Sequence, residues 1–120
     1  MHQSSLEKMT SFVNQYLREN TDEVRTIIDF GSQDINGSYR SLFSEKEWNY
    51  IGIDIEEGEN VDLIIKDQHK WTEIIDSSID VVISGQALEH TKYFWLIFQE
   101  IYRVLKPGGH CCIIVPSSGP

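Results

Sequence analysis

Short runs of isoleucine and valine, with little regular alternation of apolar and polar residues, recur along the 120-residue chain and constrain its fold more than any other feature. Such runs are typical of parallel strands that are covered on both faces. Five strands are predicted in this way, at residues 24–30, 50–55, 61–65, 79–83 and 111–115. Because helices or long connections separate them, we predict an α/β fold with a parallel sheet and right-handed crossovers.

Helical periodicity predicts the elements that cover this sheet. Apolar residues spaced as on one helical face predict an N-terminal helix that ends near Asn20, and a helical pattern resumes at 38–43. The strongest pattern, at 93–105, predicts a helix that buries Phe94, Ile97, Phe98, Ile101 and Leu105 and stops at Lys106-Pro107-Gly108-Gly109. We treat 1–120 as one domain, with the N-terminal helix in 1–22 and the α/β core in 23–120.

Composition limits the classes of partner. Acidic residues outnumber basic ones by 19 to 10, giving a net charge of −9, so we expect no nucleic-acid partner. No run of about 18 apolar residues is present, and we expect no membrane span. The N-terminus does not resemble a signal peptide, and the two adjacent cysteines, Cys111 and Cys112, are poorly placed for a disulfide. These features favour a cytoplasmic protein.

The candidate site residues follow the strands, because ligands of parallel α/β sheets bind outside the carboxyl ends of the strands. Asp29 lies at the end of the first strand, and Gly31 allows the chain to turn sharply there, although glycine turns are common without any ligand. Asp54 ends the second strand, 23 residues after Gly31, and its carboxylate could accept two hydrogen bonds from a ribose diol. A solvated strand-end aspartate is the alternative.

The third and fourth strands are followed by weaker candidates. Asp67 could accept a hydrogen bond from the exocyclic amine of a base or could hold a turn, and His69 is predicted to be a loop histidine. The fourth strand ends in the small residues Ser84-Gly85, and Glu89 and His90 come shortly after. His90 is a weak candidate for a general base. A capping acid and a structural histidine explain this pair better than a metal site, which needs three or four ligands, so no metal is predicted.

Several of these stretches together resemble the class I S-adenosylmethionine-dependent methyltransferases. They are residues 29–38, Asp54, 80–84 and 87–90, and above all 100–109, where a helix is followed by Leu-Lys-Pro-Gly-Gly. The combination is similar to the methyltransferase type 11 group. The resemblance implies a Rossmann-like, doubly wound and mainly parallel sheet, an S-adenosylmethionine cofactor and methyl transfer to a small-molecule acceptor.

The resemblance also implies a role for individual residues. It assigns the methionine end of the cofactor to Asp29, Gly31 and Ser32, the adenosine to Asp54, Ile55, Asp67 and Gln68, and the neighbourhood of the methyl group to Ser84 and Gln86. A cofactor with a sulfonium and no phosphate suits an acidic protein.

The sequence departs from the family pattern in two places. Gln33 stands where the second glycine of a Gly-x-Gly-x-Gly loop is expected, and the sequence stops just after the fifth strand, before the pair of strands that the family adds. The fifth strand is then an edge, and we predict that it pairs with a second copy or with a missing segment. A truncated, non-catalytic module is the alternative function. A nicotinamide dehydrogenase ranks last, because Gln33 and Asn36 replace two glycines of Gly-x-Gly-x-x-Gly.

Overall fold

A five-stranded sheet forms the centre of the computed structural model, which describes residues 3–17, 23–33, 38–85 and 92–114. The strands are β1 (Arg25–Phe30), β2 (Trp48–Asp54), β3 (Leu63–Ile64), β4 (Ile79–Ser84) and β5 (Leu105–Ile113). All neighbouring strands are parallel, in the spatial order β3-β2-β1-β4-β5. The predicted parallel α/β sheet is confirmed, and its strand order reverses between β1 and β4.

Helices cover both faces of the sheet. The N-terminal helix α1 (Gln3–Phe12) continues as a π-helical segment (Val13–Leu17), and its predicted end near Asn20 lies outside the described residues. The pattern at 38–43 is realised as a short 3-10 helix (Arg40–Phe43). The helix α2 (Phe94–Val104) connects β4 to β5.

The core is divided by the sheet into two layers, and β1 contributes to both. Ile28 and Phe30 belong to the layer beneath α2, whereas Ile27 belongs to the layer beneath α1 and the 3-10 helix. This alternation follows from the opposite directions of successive side chains along a strand. In the α2 layer the fully buried Trp71 stacks on Phe30 with ring centroids 5.1 Å apart.

The predicted buried face of α2 is wrong at two positions. Ile97, Ile101 and Val104 are buried, but the side chains of Phe94 and Phe98 are 50% and 42% exposed. The contact with the sheet is a narrow stripe with i, i+4, i+7 spacing, so residues 94 and 98 are turned onto one flank of the helix.

The opposite flank of α2 is attached to the connection between β3 and β4. There the Arg103 guanidinium donates hydrogen bonds to the carbonyl oxygens of Trp71 and Ile74, at 2.7 and 2.8 Å. Glu100 accepts a hydrogen bond from the Trp71 amide at 2.5 Å. The two phenylalanines therefore lie on the flank of α2 that does not hold this connection.

The start of β5 also differs from the prediction. Leu105, the residue after α2, is already extended and pairs with Ile79. The pairing then shifts, so that Val81 is opposite His110. The predicted stop signal at 106–109 therefore forms an irregularity inside β5, in which Gly108 has a φ of 82°. Of the strand predicted at 111–115, residue 115 lies outside the described residues.

Candidate functional site

The turn after β1 brings the chain directly onto the end of β2. Gly31 has a φ of 73°, a conformation that favours glycine. The amides of Gly31 and Ser32 both donate to the Ile53 carbonyl oxygen, at 2.9 and 3.1 Å. Main-chain hydrogen bonds therefore hold the start of the turn against the neighbouring strand.

Asp54 lies next to this turn. Its Oδ2 accepts a hydrogen bond from the Gln33 amide at 3.1 Å, and its Oδ1 accepts one from the Ile55 amide at 2.8 Å. The structure thus brings together the turn after β1 and the carboxylate at the end of β2, as the sequence predicts. A carboxylate has about four acceptor positions, so capacity for a bound diol remains.

Asp29 is buried beneath the turn, with 3% of its surface exposed. The Tyr50 hydroxyl donates a hydrogen bond to its Oδ2. Burial raises the pKa of Asp29 to about 7, while the Tyr50 hydrogen bond and the charge of Arg40 act in the opposite direction. Asp29 is therefore a carboxyl group whose charge state changes near neutral pH.

The loop between β2 and β3 crosses back to the turn through Asn60. The Asn60 Nδ2 donates to the Ser32 carbonyl oxygen at 2.9 Å and to the Tyr50 hydroxyl at 3.0 Å. In return, the Ser32 hydroxyl donates to the Asn60 carbonyl oxygen at 2.7 Å. Two hydrogen bonds thereby join the two loops at the carboxyl edge of the sheet, and a third joins the second loop to β2.

Gly52 permits this crossing. A Cβ added to it would lie 2.0 Å from the Asn60 carbonyl oxygen and 2.5 Å from the Ser32 Oγ. Its amide also donates to the Asp62 Oδ2 at 2.8 Å. Only a residue without a side chain allows the loop to approach β2 this closely.

The loop after β3 makes use of Asp67 within its own turn. The Asp67 Oδ1 accepts a hydrogen bond from the His69 amide at 2.8 Å, and the Gln68 carbonyl accepts one from the Trp71 indole at 2.8 Å. The turn interpretation of Asp67 is therefore realised, and its contact with a base stays a prediction. His69 packs edge-on against Tyr93, with ring centroids 5.7 Å apart.

Ser84 lies at the end of β4, next to the point where the strand order reverses. It is 1% exposed, and its hydroxyl donates to the Phe30 carbonyl oxygen at 2.9 Å. The hydroxyl thus ties β4 to β1. The other predicted residues that follow β4, Gln86, Glu89 and His90, lie outside the described residues, and their roles stay predictions.

The sequence analysis missed the polar side chains that support the site: Arg40, Tyr50, Asn60 and Asp62. The Arg40 side chain bonds to Asn60 and Asp62, both at 2.5 Å. No spacing rule links these residues, since they come from a 3-10 helix, a strand and a loop. The one local signal is the glycine inside a strand, Gly52, which indicates close approach of another backbone.

Two general properties concern only the described part of the chain. Within it, no helix is long and apolar enough to cross a membrane. The same residues contain no group of three or more His, Cys, Asp or Glu side chains placed to hold a metal ion.

A parallel sheet with reversed strand order and polar loops at its carboxyl edge defines a Rossmann-like ligand-binding domain. Residues 28–113 match the methyltransferase domain family, and the chain belongs to that family. The resemblance drawn from the sequence is confirmed.

Known proteins with similar sequences are also methyltransferases. An uncharacterized methyltransferase of Mycolicibacterium gilvum is 24% identical over 94 residues, which are 70% of this chain and 36% of that protein. One of Mycobacterium bovis is 26% identical over 95 residues, which are 71% of this chain and 37% of that protein. The chain thus spans little more than a third of the length of these relatives.

Solved structures share the fold. An S-adenosyl-L-methionine-dependent methyltransferase of Methanococcus maripaludis superposes with a TM-score of 0.69 at 20% identity, covering 91% of this chain and 53% of that one. One of Aquifex aeolicus gives 0.65 at 19% identity, covering 100% and 78%. A methyltransferase bound to the Haloferax volcanii Trm112 activator gives 0.59 at 20% identity, covering 89% and 57%.

Proposed function

We propose that this domain binds S-adenosylmethionine at the carboxyl edge of its sheet and transfers the methyl group to a small-molecule acceptor. The observation that carries the proposal is the pair of Asp54 and the turn at Gly31, which meet through the Gln33 amide. This arrangement puts an acceptor for a ribose diol opposite a turn that a ligand can approach closely.

The charges of the site suit this cofactor. Asp29 and Asp54 lie on either side of the turn, and the like charge of Asp54 contributes to the raised pKa of Asp29. A ligand with an ammonium and a sulfonium relieves that repulsion. Ile55, 47% exposed beside Asp54, offers an apolar surface for the adenine.

The proposed roles of the other residues follow the family resemblance. Gly31 and Ser32 hold the methionine end by their main chain, and Asp67 and Gln68 lie at the adenine edge. Ser84 and Gln86 are assigned to the region of the methyl group, where the buried Ser84 hydroxyl keeps the ends of β1 and β4 together. His90 stays a candidate base.

The reaction needs little covalent chemistry from the protein. The cofactor supplies an activated methyl group, and the acceptor displaces it from sulfur in line. What the chain contributes is the position and orientation of the reactants.

Calorimetric titration tests cofactor binding. We expect S-adenosylmethionine and S-adenosylhomocysteine to bind and NAD not to bind. Asp54→Ala should lower the affinity by about 1–3 kcal/mol, roughly 5- to 150-fold, because the diol loses its partner. Glu57→Ala, which removes an exposed acid from the same loop, is the matched control and should bind like the native chain. Equal affinities for the two variants would reject the Asp54 assignment.

A non-catalytic module is the second candidate, because the chain spans only part of its relatives. Single-turnover transfer of a labelled methyl group, screened against small O, N and C nucleophiles, distinguishes the two. Cofactor binding with no transfer to any acceptor would favour the module.

We also propose that two copies associate through β5, in the cytoplasm. Ile114 donates its amide to the Ser84 carbonyl, so the alternate backbone groups, those of Cys111 and Ile113, point away from β4 to the edge of the sheet. Half-exposed aromatic rings are present on both faces of the sheet. Tyr16 lies beside His110 with centroids 6.1 Å apart, and Phe98 lies on the α2 side.

Association about a two-fold axis at the β5 edge would cover both the outward-pointing backbone groups of β5 and the half-exposed aromatic rings. Antiparallel pairing of two β5 strands sets the two α2 helices side by side on one face of a continuous sheet. The three residues that form this flank of α2, Phe94, Phe98 and Tyr102, are uncharged. Self-association through them therefore does not bring like charges together in a chain of net charge −9. Tyr102 is 86% exposed.

Sedimentation velocity tests the dimer. Phe98→Glu should give monomers, whereas Gln99→Glu, with the same charge on the neighbouring exposed position of α2, should leave the dimer intact. A native chain that is monomeric at all concentrations would contradict the proposal. The activator bound to the Haloferax volcanii neighbour is the alternative kind of partner for this edge.

A further inference from the structure

Four side chains at the carboxyl edge form a hydrogen-bonded series that we call the donor chain: Arg40, Asn60, Tyr50 and Asp29. The Arg40 Nε donates to the Asn60 Oδ1 at 2.5 Å. The Asn60 Nδ2 donates to the Tyr50 hydroxyl at 3.0 Å, and that hydroxyl donates to the Asp29 Oδ2. The series starts at a permanent cation and ends on a buried carboxyl group.

The direction of the donor chain is fixed by the chemistry of its members. Arginine has only donors, so the Asn60 side-chain oxygen must face Arg40. The Ser32 carbonyl has only acceptor sites, so the Asn60 Nδ2, 2.9 Å away, must face Ser32. Two neighbours thus require the same orientation of the amide. Because the Tyr50 oxygen then accepts from Asn60, its hydrogen points to Asp29.

The first member is itself held in place. The Arg40 Nη2 contacts the Asp62 Oδ2 at 2.5 Å, and the Arg40 guanidinium lies over the Tyr50 ring at 4.4 Å from its centroid. Asn60 adopts a φ of 69°, which asparagine tolerates better than most residues. The donor chain is therefore ordered before any ligand arrives.

We propose that Arg40, Asn60 and Tyr50 are positioning residues that keep the Asp29 carboxylate charged so that it can bind the ammonium of the cofactor's methionine end. The inference rests on the proposed function. A neutral acid cannot balance an ammonium, and burial favours the neutral acid. A hydrogen bond donated to a carboxylate favours its charged form, whereas a hydroxyl turned the other way would accept a hydrogen bond from the protonated carboxyl and favour the neutral form.

The titratable and charged groups that face Asp29 come from three elements. Tyr50 and Asp54 belong to β2, and Arg40 belongs to the 3-10 helix. Tyr39, directly before this helix, also interacts with Asp29. Cys112 of β5 lies beyond Tyr39. Of these groups, Tyr50 and Arg40 lower the pKa of Asp29 and Asp54 raises it.

The pH dependence of ligand affinity tests the proposal. S-adenosylhomocysteine carries the ammonium, and 5′-methylthioadenosine is the matched ligand that lacks it. We expect Tyr50→Phe to weaken S-adenosylhomocysteine binding about fivefold at pH 7, because a rise of about one unit from a pKa of about 7 leaves about a fifth as much of Asp29 charged. The loss should narrow as the pH is raised from 6 to 8. Affinity for 5′-methylthioadenosine should not change, and Tyr102→Phe, at an exposed tyrosine, should behave like the native chain.

A second pair of variants covers the case in which Tyr50→Phe does not fold. Arg40 has a 42% exposed side chain, so replacing it disturbs the core little. Arg40→Met should shift the S-adenosylhomocysteine pH profile in the same direction, and Arg40→Lys, which keeps a donor and the charge, should restore it in part.

The outcomes separate the two proposals. If native protein binds neither adenosine ligand, the proposed function fails. If the native protein binds both ligands, two results would overturn the inference, because each would show that the donor chain has no positioning role. The first is an unchanged pH profile of S-adenosylhomocysteine affinity in Tyr50→Phe. The second is the same pH profile in Arg40→Met and Arg40→Lys.

Discussion

Replacing Asp29 by asparagine should make the stability of the unliganded domain less dependent on pH. Burial raises the pKa of Asp29 from 3.8 to about 7 in the folded state, so the folded chain holds a proton that the unfolded chain releases at lower pH. Stability from this group is complete below pH 4 and is lost as the pH rises through 7. A pKa difference of about three units, at 1.36 kcal/mol per unit, corresponds to a loss of about 4 kcal/mol in the free energy of unfolding between these pH limits.

The asparagine variant removes this titration and introduces a smaller cost. Its side-chain oxygen can still accept the Tyr50 hydrogen, but its amide hydrogens are buried without an evident acceptor, at about 1–3 kcal/mol. We therefore expect the variant to be less stable than the native chain at pH 4.5 and equal or more stable at pH 8. The two curves should cross in between.

Urea unfolding at half-unit steps from pH 4.5 to 8.5, without ligand, measures the difference. Taking the difference between variant and native chain cancels the repulsion that the net charge of −9 contributes to both. Glu57→Gln, at an exposed acid, is the control, and its curve should run parallel to that of the native chain. If Asp29→Asn also gives parallel curves, Asp29 does not change its charge in this range and the burial argument fails.

Two further substitutions test the contacts that hold the loops. Gly52→Ala places a Cβ 2.0 Å from the Asn60 carbonyl oxygen and should destabilise the fold by about 1–3 kcal/mol in thermal or urea unfolding. In the control, Gly58→Ala, the nearest atoms to the added Cβ belong to the flexible side chain of Gln33, so the effect should be small. Equal effects of the two substitutions would contradict the reasoning. Arg103→Lys removes the guanidinium that donates to the Trp71 carbonyl oxygen and should lower the free energy of unfolding by about 1–3 kcal/mol in the same assay. An unchanged unfolding midpoint would show that this hydrogen bond does not stabilise the fold.

The sheet could be predicted from the sequence because its signal is local. Each of the five apolar runs is recognised within five to seven residues, and four of them fall within about two residues of the strands that the structure has. The fifth begins earlier than predicted, at Leu105, because the residue that follows the end of the helix already pairs with Ile79.

The support of the site could not be predicted in the same way. Asp54 and Gly31 are recognisable because each lies at the end of a strand whose position can be predicted: Asp54 is the last residue of β2, and Gly31 directly follows β1. Tyr50 and Asn60 act through a loop that crosses β2, and nothing in their spacing indicates that crossing. The burial of α2 was overestimated for a related reason, since the width of the stripe that a helix buries depends on what packs beside it.

The direct passage from α2 into β5 limits how this part of the chain can change during evolution. The Leu105 amide donates a hydrogen bond to the Ile101 carbonyl oxygen that closes the helix, and the same residue begins the strand. An added or deleted residue at that junction would therefore rotate the whole helix or displace every partner of the strand. Length changes are tolerated more easily at 106–109, where the backbone already leaves the ladder. Homologous chains should therefore vary in length after the leucine and not before it.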